Sequence, residues 1–185
     1  MTALLATKLH QPAPPAQGVP RPHLIQRLNE GLQSGRQIIL VSAPAGFGKT
    51  TLISSWAHAM ERWQVTWLSL EPADDDPRRF CAYLLAALQK IDPDLGHEIE
   101  GVLRAGQLPP ADVISTALIN AMLDLEDRFL LVLDDFQVIQ DHFILEVLER
   151  LIIDPPGALH LALLAREDPP LPLARLRANN RLTEI

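Results

Sequence analysis

Nine consecutive residues, Ala43-Pro44-Ala45-Gly46-Phe47-Gly48-Lys49-Thr50-Thr51, have the types and spacing that hold a polyphosphate. An apolar run, Ile38-Ile39-Leu40-Val41, precedes them, and a helical stretch from Leu52 to Ala57 follows. Strand, glycine turn, Lys-Thr and helix are the context in which this pattern binds a nucleoside triphosphate. The first turn of a helix offers unpaired N–H groups and the positive end of a dipole. Gly46 and Gly48 let the backbone curl so that successive N–H groups converge on one anion. Lys49 is placed to reach the β and γ phosphates. Thr50 carries a hydroxyl suited to Mg²⁺, a hard ion that prefers oxygen. Ala43 stands where the full pattern has glycine, a departure that a negative φ would tolerate.

Two further positions complete a site. Asp134 and Asp135 follow the apolar run Phe129–Leu133, and an acid there can hold Mg²⁺ opposite Thr50. Asp134 takes that metal role. Asp135 is placed to orient or deprotonate an attacking water; the alternative is that one or both acids cap the next helix or pair with an arginine. Arg166 follows a second apolar run, Leu159–Ala165. It either stabilises charge on the γ phosphate or pairs with Glu167 or Asp134. The expected ligands are therefore a nucleoside triphosphate and Mg²⁺.

The elements that must position these groups are legible as alternating strands and helices. Strands are expected near 37–42, 65–70, 129–133, 159–165 and 182–185. Helices are expected after Pro22, from the loop to about Arg62, from Pro77 with Asp76 as cap, over about 95–105, 111–125 and 143–153, and briefly over 173–179. Such alternation means right-handed crossovers and a parallel sheet, with ligands at the carboxyl ends of its strands. The fold class is α/β, a P-loop NTPase three-layer sandwich with a mostly parallel sheet and helices on both faces. Residues 1–22, with Pro12, Pro14, Pro15, Pro20 and Pro22, read as an extended amino-terminal segment ahead of an ATPase core at 23–185.

Composition narrows the class further. A chain of 185 residues with 48% apolar content makes about one domain. A net charge of −7 argues against a general affinity for nucleic acid or anionic membrane. One cysteine, Cys81, excludes a disulfide framework. With no signal peptide and no membrane-length apolar run, a soluble, cytoplasmic protein is expected. The six histidines show no paired ligand spacing, so no metal centre beyond Mg²⁺ is expected. Asp74-Asp75-Asp76 reads as a solvated turn and helix cap, and Trp56, Trp63 and Trp67 as core aromatics. Phe47 packs either beside the nucleotide or on the sheet.

With these residues in place, the chain resembles the amino-terminal ATPase domain of the MalT-like, LuxR-family ATP-dependent transcriptional regulators. These are signal-transduction ATPases with numerous domains, relatives of the AAA+ class. The resemblance rests on Thr7-Lys8-Leu9, Val19-Pro20-Arg21 and Leu24, and Ser42 through Leu52. It rests also on Trp67-Leu68-Ser69-Leu70 with Asp74, Asp76-Pro77 and Arg79-Phe80, on Leu131–Phe136, and on Arg166. The Ala-Pro-Ala-Gly form of the loop is usual in that family. Gln137 and Glu71 depart from its pattern, which often has His and Asp there. The resemblance implies that ATP binding is a switch which, with an inducer, permits self-association, and that hydrolysis resets it. It implies contact with DNA only through domains absent from this chain, and it places Val19 and Arg21 near the adenine end of the nucleotide. The rival readings are a small self-contained P-loop kinase, with Arg175, Arg177 and Arg181 as a phosphate-clamping lid, and an ATP-binding scaffold without turnover.

Overall fold

The computed structural model describes residues 4–14, 18–104 and 107–185. Five parallel strands form its centre: β1 (Ile38–Ser42), β2 (Gln64–Ser69), β3 (Phe129–Asp134), β4 (Leu159–Ala165) and β5 (Leu182–Glu184), in the order β2-β3-β4-β1-β5. Among the described residues seven α-helices surround it: α1 (Pro22–Gln33), α2 (Lys49–His58), α3 (Pro77–Leu88), α4 (His97–Arg104), α5 (Ala111–Ala121), α6 (His142–Ile153) and α7 (Leu173–Ala178).

Strand periodicity divides the core into two. Ile38 and Leu40 of β1, Phe129, Leu131 and Leu133 of β3, and Leu161 and Leu163 of β4 face the larger cluster, which α3 to α7 cover. Ile39, Val41, Leu130, Val132, Ala162 and Leu164 face the other side, against α1 and α2. Alternate side chains point to opposite faces of a strand, so a strand apolar at every position demands helices on both. β3 and β4 are buried at every residue, which matches their continuous apolar runs.

The element bounds depart from expectation where local turns compete with helix. α2 ends at His58 rather than near Arg62. Turns beyond it fold Met60 and Trp63 back against the smaller core. α5 stops at Ala121, and Met122 is buried in the turn that follows. The expected end of α4 at 105 lies outside the described residues. Asp76 caps α3 by accepting from the Arg79 N–H at 2.8 Å, with Pro77 in the first turn.

The amino-terminal segment is not extended throughout. Ala6–Leu9 form a 3-10 helix, and residues 15–17 lie outside the described residues. Lys8 and Leu9 of that turn are buried. Lys8 donates to Asp74, Leu5 N–H donates to the Tyr83 hydroxyl at 3.1 Å, and Lys90 donates to the Leu9 carbonyl. Asp74 is therefore a fully buried carboxylate, not part of a solvated turn.

Of the three tryptophans, Trp56 and Trp67 are buried core residues, while Trp63 is partly buried and sets its ring edge-on to His160 at 4.6 Å between centroids. His160 is buried in β4, and burial lowers its pKa to about 4, with Arg128 adding to the effect and a hydrogen bond at Ala158 opposing it. The unfolded chain takes this proton near the ordinary value of 6.5, and the fold refuses it until about 4. The stability His160 contributes is thus present above pH 6.5 and lost as pH falls toward 4, at about 1.4 kcal/mol per pH unit. Urea midpoints at about pH 7.5 and about pH 5 test this: wild type should lose roughly 2 kcal/mol more than His160→Gln over that interval. Equal losses would remove His160 from the account.

Candidate functional site

β1 delivers the chain to the loop at the carboxyl edge of the sheet. Gly46 and Gly48 adopt φ of +82° and +77°, a region that disfavours any side chain. At Gly48 a Cβ would also lie 3.3 Å from the Arg21 guanidinium, a close contact that the arginine would relieve by a small shift, so the positive φ is the stronger constraint. Beyond Gly48, α2 begins at Lys49, which turns its free N–H groups toward the loop. Pro44, Ala45, Gly46, Phe47 and Thr51 are exposed, Ala43 and Gly48 partly so.

Lys49 is buried to 9% exposure, and its Nζ donates to the carbonyls of Ala43 at 2.6 Å and Pro44 at 3.2 Å. The ammonium is thus held over the loop by carbonyls that an incoming anion can replace. Thr50 Oγ1 lies 2.9 Å from one carboxylate oxygen of Asp134 and 3.1 Å from the other. β4 stands between β1 and β3 in the sheet, so this contact spans the end of β4. Two residues 84 apart in sequence are brought together at the position where the sequence placed a metal.

Asp134 is 5% exposed. Burial holds its carboxyl above the ordinary carboxylate pKa; the Thr50 hydroxyl opposes that shift, the neighbouring Asp135 adds to it, and the Asp135 N–H and Lys49 weaken it. A desolvated carboxylate with a threonine oxygen at its side is a donor set of hard oxygens that fits Mg²⁺. Among the described residues no group of three His, Cys, Asp or Glu side chains is gathered at one point.

Asp135 has φ 57° and ψ 40°, left-handed values that Asp tolerates better than most residues. It precedes a 3-10 turn, Phe136–Val138, yet makes no side-chain cap to it. Its carboxylate instead accepts from Gln137 Nε2 at 2.9 Å. Among the described residues Asp135 thus makes neither the cap to this turn nor an ion pair with an arginine. Arg166 is exposed at the end of β4, between the strands that carry the loop and the acid pair. It makes no ion pair with Glu167 or Asp134 among the described residues. Phe47 is 59% exposed and packs on neither core.

A groove of about 950 Å³ runs from the loop between α1 and α2. Val19, Arg21, Asn29 and Glu30 line one side, Gly48, Thr51 and Ser55 the other. Trp56 Nε1 donates to Asn29 Oδ1 at 2.8 Å, which ties the two helices, and Arg21 Nη1 donates to the Phe47 carbonyl at 2.7 Å, which ties the entry segment to the loop. The sequence points to Gly48 and Thr51 in this lining, and the family resemblance to Val19 and Arg21. Asn29 gives no local signal, because its partner lies 27 residues away. The arginines of the carboxyl-terminal end are partly engaged by the chain itself. Arg177 binds Glu184 and Asp168, and Arg181 binds the Ile153 carbonyl.

The parallel sheet, its strand order, and a Gly-Lys-Thr loop facing an acid across the sheet define an α/β protein of the P-loop NTPase class. The chain belongs to the AAA ATPase domain family, which matches residues 21–174. It is 32% identical over 182 residues to the HTH-type transcriptional regulator MalT of Serratia proteamaculans (strain 568), covering 98% of this chain and 20% of that protein. The MalT of Yersinia enterocolitica is 31% identical over the same length and shares. The chain thus spans about a fifth of the length of these relatives, and the resemblance to the ATPase domain of MalT-like regulators is borne out. Among solved structures, Cdc6p from Pyrobaculum aerophilum superposes with a TM-score of 0.57 at 14% identity, over 92% of this chain and 46% of that one. The Walker-type ATPase paby2304 of Pyrococcus abyssi gives 0.53 at 14% identity, over 84% and 47%. At that identity the likeness speaks for the fold. No helix among the described residues is long and apolar enough to cross a membrane.

Proposed function

We propose that the chain is the ATP-binding switch domain of a transcriptional regulator and hydrolyses ATP slowly with Mg²⁺. The observation that carries this reading is the contact of Thr50 with Asp134, beside a lysine held over a glycine loop. Loop residues 43–51 would wrap the phosphates with their N–H groups, and Lys49 would exchange the Ala43 and Pro44 carbonyls for phosphate oxygens. Thr50 and Asp134 would hold Mg²⁺, whose charge offsets that on the β and γ phosphates. The nucleoside would lie in the groove beside Val19 and Arg21. Asp135 would accept a proton from water as its oxygen bonds to the γ phosphorus and the bond to the leaving ADP oxygen breaks. Arg166 would face the charge that develops there.

The wider role draws on the relatives, which are named as helix-turn-helix regulators. In such a protein the nucleotide state of this domain would govern self-association, and contact with DNA would belong to other domains. Asp135→Asn is the test of the hydrolytic part. It should leave the ATP dissociation constant within about twofold and slow phosphate release on the order of a hundredfold. Unchanged turnover would remove Asp135 as the base, and no phosphate release from wild type would leave ATP binding without hydrolysis as the better account.

A further inference from the structure

Asp135 stands against its surroundings in a way the hydrolytic role alone does not explain. Its backbone is left-handed, its side chain makes no cap to the turn that follows, and among the described residues its carboxylate takes one bond, from Gln137 Nε2. A carboxylate is an acceptor only, so the amide must turn its nitrogen toward Asp135 and its oxygen away. That oxygen, Gln137 Oε1, is buried with no hydrogen-bond partner among the described residues. An orphaned buried acceptor costs about 1–3 kcal/mol. The amide therefore holds its orientation against a cost, and the bond to Asp135 is what the orientation secures.

The backbone beneath Gln137 is fixed independently. Val138 N–H donates to the Asp135 carbonyl at 3.3 Å and Ile139 N–H to the Phe136 carbonyl at 3.0 Å. Phe136 is fully buried. Gln140 and Asp141 both donate their N–H groups to Asp75 Oδ1, at 2.7 and 2.8 Å. A side chain mounted on so constrained a turn can set the angle of the group it touches.

We propose that Gln137 is the positioning residue for Asp135. It engages one carboxylate oxygen and leaves the other to the attacking water. This rests on the reading of Asp135 as the base. Gln137→Ala removes the donor; Gln137→Glu keeps the shape but sets a second carboxylate against the first. Both should lower the turnover number by roughly ten- to a hundredfold with the ATP dissociation constant within about twofold. In the nucleotide-free protein, the side-chain amide resonance of Gln137 should shift in Asp135→Ala and stay in Asp154→Ala. Turnover equal to or above wild type, a dissociation constant that rises in step, or an unmoved amide resonance would overturn the proposal. If wild type binds and hydrolyses ATP while the Gln137 variants match it, only this inference falls. If wild type releases no phosphate, the hydrolytic reading falls with it.

Discussion

Lys49→Ala is expected to weaken ATP binding by on the order of a hundredfold or more, about 2.7 kcal/mol. The size follows from what the ammonium does. Hydrogen bonds to charged groups are worth about 1.5–3 kcal/mol each, and Lys49 is placed to make them to two phosphates. In the nucleotide-free chain it donates to Ala43 and Pro44 carbonyls at 2.6 and 3.2 Å, both within its own loop. Those residues are at least partly exposed, so water can replace the lysine at their carbonyls. The variant should therefore unfold within about 1 kcal/mol of wild type, while its nucleotide affinity collapses. Titration with a fluorescent ATP analogue and urea unfolding on the same preparation separate the two quantities. Lys49→Arg should not restore affinity, because a planar fork does not fit a loop shaped around a compact ammonium. Retained affinity in Lys49→Ala would remove the phosphate site from this loop.

Lys49, Thr50 and the acid pair were legible because their signals are local. The acid pair lies at the end of one apolar strand and Lys49-Thr50 follows the glycine loop that leaves another, and strand ends are where a parallel sheet gathers its ligands. The strands themselves were legible because burial on both faces writes a continuous apolar run, as in Phe129–Leu133 and Leu159–Ala165. What escaped depends on partners far away in sequence. Asp74 looked like its neighbours Asp75 and Asp76 until folding set Lys8, 66 residues away, against it. Asn29 looked like any polar helix residue until Trp56 met it. His160 alternates with apolar residues in β4 and gave no sign that its ring would be buried against Trp63. Gln137 was noticed only as a departure from a family pattern. Its bond to Asp135 needs the left-handed turn at Asp135, which no residue type in the run announces.

Asp74→Ala is expected to cost about 3–5 kcal/mol, a large share of the roughly 5–15 kcal/mol that holds a domain together. Asp74 is wholly buried and accepts from Lys8 Nζ, from Arg79 Nε at 2.8 Å and from the Glu71 N–H at 2.9 Å. Removing it strands the Lys8 ammonium at 7% exposure, with Glu71 3.4 Å away and the Tyr83 ring 4.4 Å below as the contacts that remain. Lys8→Met should cost less, because Arg79 and the Glu71 N–H still satisfy the carboxylate. The double variant should lose less than the sum of the two, by more than about 0.5 kcal/mol, since removing both charges leaves neither one buried alone. Additive losses in urea unfolding would mean that the pair is not coupled. The effect should also reach the site. Asp75, next in the chain, holds the Gln140 and Asp141 N–H groups just beyond the acid pair. A loosened turn at Asp74 frees that anchor, so Asp74→Ala should slow phosphate release at temperatures where it remains folded, whereas Lys8→Met, which leaves the turn bonded, should not.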